Sequence, residues 1–136
     1  MRYLLDTHVL IWFITQDSQL KPTIKAVLFD QTNEFYVSHE SLREIVIKAK
    51  LNKPDFKLLQ GITISDIAIT LQETLGVKLL ASKVMHMRQL EELIPIHNDP
   101  FDHLLICQAI TENLILISHD GNFPLYQEQG LQLLKA

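Results

Sequence analysis

A three-layer α/β/α sandwich around a mostly parallel sheet is the fold these 136 residues predict, and three features of the sequence predict it. Short apolar runs ending in turn or capping residues alternate along the whole chain with segments of helical apolar spacing, the pattern of strand–helix–strand crossovers. No linker-like stretch and no internal repeat interrupts the alternation, so residues 1–136 read as a single domain. Hydrophobic residues are 47% and charged residues 21%, ordinary globular composition in a chain long enough to bury roughly 68% of its unfolded surface.

The elements follow in order. Arg2-Tyr3-Leu4-Leu5 is a strand closed by Asp6-Thr7, residues that favour turns and helix caps. His8 to Ile14 is apolar nearly all round, as a helix covered on more than one side would be. Asp17 to Lys21 is a loop, Pro22 opens a helix to about Asp30, and Glu34-Phe35-Tyr36-Val37 is the second strand. Ser38 caps a helix to about Lys50, in which Leu42, Ile45, Val46 and Ala49 keep core spacing. Glu44 falls off that stripe and reads by itself as a solvated acid. Residues 51 to 61 are a connector or a frayed helix; a helix then starts at Ser65, carries Ile67, Leu71 and Leu75 on one side, and stops at Gly76.

Val77 to Leu80 is the third strand. Ser82 should cap a helix to about Leu93 that buries Val84, Met87, Leu90 and Leu93, with Met85 and Met87 as core filler. Asp99 then suits an N-cap and Pro100 a first helical position. This places Asp102 in the first turn, where an acid suits the positive end of the helix dipole. Leu104, Leu105 and Ala109 dock this helix, and Cys107, the one cysteine, is a small core residue. Leu114 to Ile117 is the most apolar strand, Ser118 to Gly121 the turn after it, and Leu131 to Leu134 the last strand.

Bulk charge narrows the function. A net charge of −4 argues against a generically basic nucleic-acid coat, although acids holding a divalent ion can still present positive charge to a phosphate. Arg2, Arg43, Lys48, Lys50, Lys53 and Arg88 are thinly spread and read mainly as solvated charges. Asp6 comes too early for a signal peptide, and no apolar run approaches the roughly 20 residues of a membrane span. The expected location is therefore cytoplasmic. No Gly-rich phosphate loop, zinc-type Cys or His spacing, or convincing Ser-His-Asp order is present.

The chemistry instead points to acids. In a parallel sheet the strand C-termini share one edge, where ligands bind, and Asp6 and Asp120 both follow strands. Glu44 and Asp102 can reach the same edge from helices. So many carboxylates raise one another's pKa unless a cation joins them. Oxygen donors favour Mg²⁺, with Mn²⁺ as a substitute. Such an ion with open positions can polarise a phosphoryl oxygen and activate water against a phosphodiester.

Several of these pieces together resemble a known family: Leu4-Leu5-Asp6-Thr7-His8, Val37-Ser38 through Ser41-Leu42-Arg43-Glu44-Ile45, Asp99-Pro100-Phe101-Asp102-His103 through Ala109, and Leu116-Ile117-Ser118-His119-Asp120. In that order they are similar to PIN-domain ribonucleases of the VapC toxin type. The resemblance implies that Asp6, Glu44 and Asp102 are the core Mg²⁺-binding acids and Asp120 a fourth, more variable one. Thr7 would orient the first acid, and Ser118 would be the small hydroxyl residue near the fourth. Asp99 is typical of the subgroup, with N-cap duty its reading here. His103 stands where members often carry Arg, so a contact to phosphate or to an antitoxin carboxylate would be weaker and pH-dependent. The resemblance further implies an RNA substrate, a homodimer and a cognate antitoxin laid over the acidic edge.

Two other readings stand beside this one. A non-catalytic interaction module of the same fold, binding RNA or a protein partner, would use the apolar Val9 to Ile14 segment. A phosphate-accepting signalling domain needs adjacent acids after its first strand, whereas Asp6 is followed by Thr7.

Overall fold

A computed structural model of the chain describes residues 1–59 and 61–136; Gln60, in the expected connector, lies outside the described residues. Strands β1 (Arg2–Leu5), β2 (Glu34–Ser38), β3 (Lys78–Leu80), β4 (Ile115–Ser118) and β5 (Gln132–Lys135) form one sheet in the order β3-β2-β1-β4-β5. Every neighbouring pair is parallel, so the expected mostly parallel sheet is wholly parallel. β1 sits at its centre, with Leu5 beside Val37 on one flank and Ile117 on the other. A strand buried on both faces has to be a continuous apolar run, which is what Tyr3-Leu4-Leu5 supplies.

Alternation along β1 separates two cores. Tyr3 and Leu5 face a cluster with Leu10, Ile24, Ile45 and Ile67. Those residues come from α1 (Thr7–Thr15), α2 (Pro22–Leu28), α3 (His39–Lys50) and α4 (Ile64–Ile69), the last continuing into a π turn at Thr70–Thr74. Leu4 faces the other way, onto Leu93, Leu105, Ile106 and Cys107. That layer is built by α5 (Val84–Glu92), α6 (Pro100–Thr111) and a 3₁₀ segment, Phe123–Gln129. These are the three layers the alternation predicted. The connector contains a second 3₁₀ segment at Pro54–Leu59.

One element corrects the expectation. The α5 face carrying Val84, Met87 and Leu90 is turned outward, with exposures of 73%, 50% and 39%, while His86 is fully buried. Met85 is exposed too and fills no core. Lys83 rather than Ser82 stands at the N-cap, and its N–H donates to Nδ1 of His86 at 3.0 Å. Nε2 of the same ring meets Oε1 of Glu112 at 2.9 Å. With both nitrogens satisfied, a histidine can serve as the buried anchor between α5 and α6. Among the described residues, no helix is long and apolar enough to cross a membrane.

Candidate active site

Asp6 and Asp120 follow the C-terminal ends of β1 and β4, while Glu44 lies in α3 and Asp102 in the first turn of α6. Asp6 leaves β1 and caps α1: Oδ1 accepts from the Val9 N–H at 2.8 Å, and Oδ2 accepts from the Ser118 hydroxyl at the end of β4. Its own N–H donates to the Ile117 carbonyl at 3.1 Å, which locks the carboxylate to the β1/β4 seam. Burial raises its pKa to about 6, against the pull of Ser118, the Val9 N–H and His8, with Asp120 pushing further upward.

Glu44 is buried, contrary to its reading as a solvated acid. Its charge is met by Thr7, a partner the helical period does not show, whose Oγ1 donates to Oε1 at 2.6 Å, and by Lys48 one turn on, whose Nζ donates to Oε2 at 2.5 Å. The Thr7 and Ser41 hydroxyls stand 3.2 Å apart and fill the gap between α1 and α3. Thr7 thus positions Glu44, while it is Ser118 that orients the first acid.

Asp99 caps α6, accepting from the N–H groups of Phe101 at 2.9 Å and Asp102 at 3.3 Å. Asp102 therefore sits in a fixed first turn, and its Oδ2 meets His97 Nε2 at 3.0 Å. The ring's Nδ1 lies 2.8 Å from the Tyr126 hydroxyl, which also accepts from the N–H groups of Ile96 and His97. A Tyr126–His97–Asp102 chain results. Burial pushes the Asp102 carboxyl up to about 8, and Asp99, Asp120, Glu44 and Asp6 add to the rise. The charges of the other three expected acids therefore all reach Asp102.

Asp120 follows Ser118 in a turn: its N–H donates to Ser118 Oγ at 3.0 Å and its Oδ1 accepts from the Asn122 N–H at 2.8 Å. His103 turns inward and donates from Nε2 to the His97 carbonyl at 2.5 Å, so it braces the loop before α6.

Among the described residues, no three His, Cys, Asp or Glu side chains converge tightly enough to form a ready metal cage. The donor set nevertheless fits a hard divalent cation. All four groups offer oxygen, and Oδ1 of Asp102 and Oδ2 of Asp120 accept no hydrogen bond among the described residues. Lys48 stands as the resident cation: its pKa is raised by its bond to Glu44 and by the charges of Glu44, Asp99 and Asp102, against the lowering effect of burial.

The family profile for the PIN domain matches residues 3–128 of the chain. The chain belongs to the PIN domain family. No curated protein sequence matches it significantly. Among solved structures, this PIN domain is similar to VapBC2 from Rickettsia felis bound to a promoter DNA fragment, at 19% identity and a TM-score of 0.68, over 99% of this chain and 98% of that one. VapBC-1 from nontypeable Haemophilus influenzae is similar at 19% identity and a TM-score of 0.62, with the same coverages. DNA-bound VapBC from Salmonella typhimurium matches at 13% identity and a TM-score of 0.62, again over 99% and 98%. These likenesses show the fold.

Three residues of this PIN-domain site escaped the sequence. Lys48 read as a solvated charge, although its i, i+4 spacing from Glu44 was a signal for pairing. His97 stands in none of the quoted motifs, and Tyr126 carries no sign at all, because its link to His97 spans 29 positions.

Proposed function

We propose that this PIN domain is a Mg²⁺-dependent endoribonuclease, the toxin of a toxin–antitoxin pair, with Asp6, Glu44, Asp102 and Asp120 as its metal-binding and catalytic acids. The observation that carries the reading is the electrostatic reach of these acids: Asp102, pushed up to about 8 by burial first, is raised further by the charges of Asp120, Glu44 and Asp6, which come from three other segments. A buried carboxyl raised further by so many neighbouring charges is unfavourable unless a cation is due among them. Bound there, Mg²⁺ (or Mn²⁺) would polarise the phosphate and supply an activated water.

The chain's own residues do the rest. Ser118 and the Val9 N–H fix both oxygens of Asp6. Thr7 holds Oε1 of Glu44, and Lys48 can exchange its Glu44 contact for a phosphate oxygen. His97, backed by Tyr126, holds one oxygen of Asp102 and leaves the other without a hydrogen bond among the described residues, free to meet a cation.

The VapBC relatives support a cognate antitoxin as partner, and a cytoplasmic location goes with that role. The outward apolar row of Val84, Met87 and Leu90 on α5 supports a homodimer. Purified protein free of partner should cut RNA in Mg²⁺, and lose that activity on EDTA addition or in Asp6→Asn. Cleavage indifferent to both changes would reject the proposal. The Lys48–Glu44 pair favours a second reading, a PIN domain that binds without cutting. RNA or partner binding with no metal-dependent turnover would select it.

A further inference from the structure

Beside the acids, cationic and aromatic side chains touch one another in an unbroken series. The Arg43 guanidinium lies 4.8 Å from the centre of the Phe101 ring. Lys48 Nζ lies 5.8 Å from the same ring and 5.4 Å from that of Phe56. His8 packs on Phe56 at 5.9 Å and on Trp12 at 6.3 Å, and Trp12 meets His119 edge to face at 5.3 Å. The series thus runs from α3 and the first turn of α6 to the turn that carries Asp120.

Its members divide by burial. Phe56 and Trp12 are buried and act as backing, whereas Phe101 and His8 are half-buried and His119 is exposed. Arg43 combines two properties that solvated arginines lack together. Its Nε donates to Oε2 of Glu40 at 2.8 Å, and Oε1 of Glu40 accepts from Ser82 at 3.2 Å, so the guanidinium plane is held in place; yet its side chain stays 60% exposed. A fixed, open guanidinium over a ring, with further rings and a lysine beyond it, is the surface on which unpaired bases stack while phosphates track the cations. A duplex, whose bases are already stacked, cannot use it.

We infer that this arc takes unpaired ribonucleotides, with Arg43 and Phe101 as the shelf for a base on one flank of the acids and His119 as the contact on the other. The inference rests on the ribonuclease reading for its substrate, and binding and cleavage are read separately to keep the two apart. The test uses the Asp6→Asn protein in Mg²⁺, with a fluorescein-labelled single-stranded RNA 10-mer and the same sequence as a duplex, followed by anisotropy. The single strand should bind at least about 10-fold more tightly. Phe101→Leu, which keeps an apolar side chain at the site but removes the π face, should cost about 10-fold, the scale of one lost stack, and Phe101→Tyr should restore it. Arg43→Gln should lower both affinity and its salt dependence, while Phe101→Leu leaves the salt dependence unchanged. His119→Asn, which keeps a donor near the Ala136 carbonyl that Nδ1 meets at 3.1 Å but removes the ring, should weaken binding. Equal affinity for duplex and single strand, or parental affinity in Phe101→Leu, overturns the inference even if wild-type protein cuts RNA. Shelf-dependent binding of an RNA that wild-type protein leaves intact overturns the nuclease reading alone.

Discussion

Replacing Asp102 by Asn should stabilise the metal-free protein, and do so more as pH rises. Folding lifts this carboxyl from 3.8 to about 8, so the folded state holds the proton more tightly than the unfolded chain. The stabilisation from that proton is complete below about pH 4 and is lost as pH climbs through the folded value. At about 1.4 kcal/mol per pKa unit, the ceiling at pH 7.5 is about 5 kcal/mol. Two effects reduce it. The side chain keeps 13% of its exposure and touches His97, so water and the imidazole relieve part of the strain. A neutral Asn also gives up about 0.5 kcal/mol of favourable interaction with the α6 N-terminus. With roughly half of the ceiling removed by the first effect, a net gain of about 2 kcal/mol remains.

Urea melts of both proteins in EDTA at pH 4.5, 6.5 and 8 measure this directly. At a slope of about 1.5 kcal/mol per molar urea, Asp102→Asn should unfold about 1.3 M later at pH 8 and nearly together with wild type at pH 4.5. Saturating Mg²⁺ should reverse the order at pH 8, since a ligand at 100 times its Kd adds about 2.7 kcal/mol to whichever protein binds it. An Asn variant no more stable than wild type at pH 8 in EDTA would show that the acids do not burden one another, and the argument for a cation among them would fail.

Four further outcomes follow from other contacts. Thr7→Val removes the donor to Glu44 while keeping the shape, and should cost about 2 kcal/mol, a drop in Tm of about 6 °C by calorimetry. Asp99→Ala should cost about 1 kcal/mol as a lost N-cap, with Asp99→Ser restoring most of it in the same melts. His86→Leu leaves Glu112 and the Lys83 N–H without their partner and should cost about 2 kcal/mol near neutral pH. Because His86 holds the Glu112 pKa below 4.5, that cost should shrink as pH falls past this value and the wild-type advantage is protonated away. Met87→Glu, on the outward row of α5, should leave the melting curve unchanged and convert dimer to monomer in sedimentation; an unaltered sedimentation coefficient would exclude this face as the contact between copies.

What could be read in advance depended on whether the signal was local. Apolar runs such as Tyr3-Leu4-Leu5 specify a buried strand within a few residues, and Asp99-Pro100 specifies a helix start by cap chemistry alone. Both therefore appeared where expected. α5 did not, because 3–4 spacing of Val84, Met87 and Leu90 states only that one face is apolar. What docks the helix is His86, a polar residue made buriable by Glu112, 26 positions away. Glu44 failed for the same reason: its acceptance into the interior depends on Thr7, 37 positions upstream, and nothing in the α3 sequence reports that bond. Long-range hydrogen bonds change the burial of polar residues without changing the periodicity of the helix that carries them.

The seam between β1 and β4 joins Asp6 to Ser118 across 112 positions, and this sets when a nascent chain can acquire the completed edge. While the ribosome is still short of residue 118, the first acid has neither its hydroxyl partner nor the β4 flank of its strand. Prematurely terminated chains, however well their amino-terminal half collapses, are born without the acidic mouth.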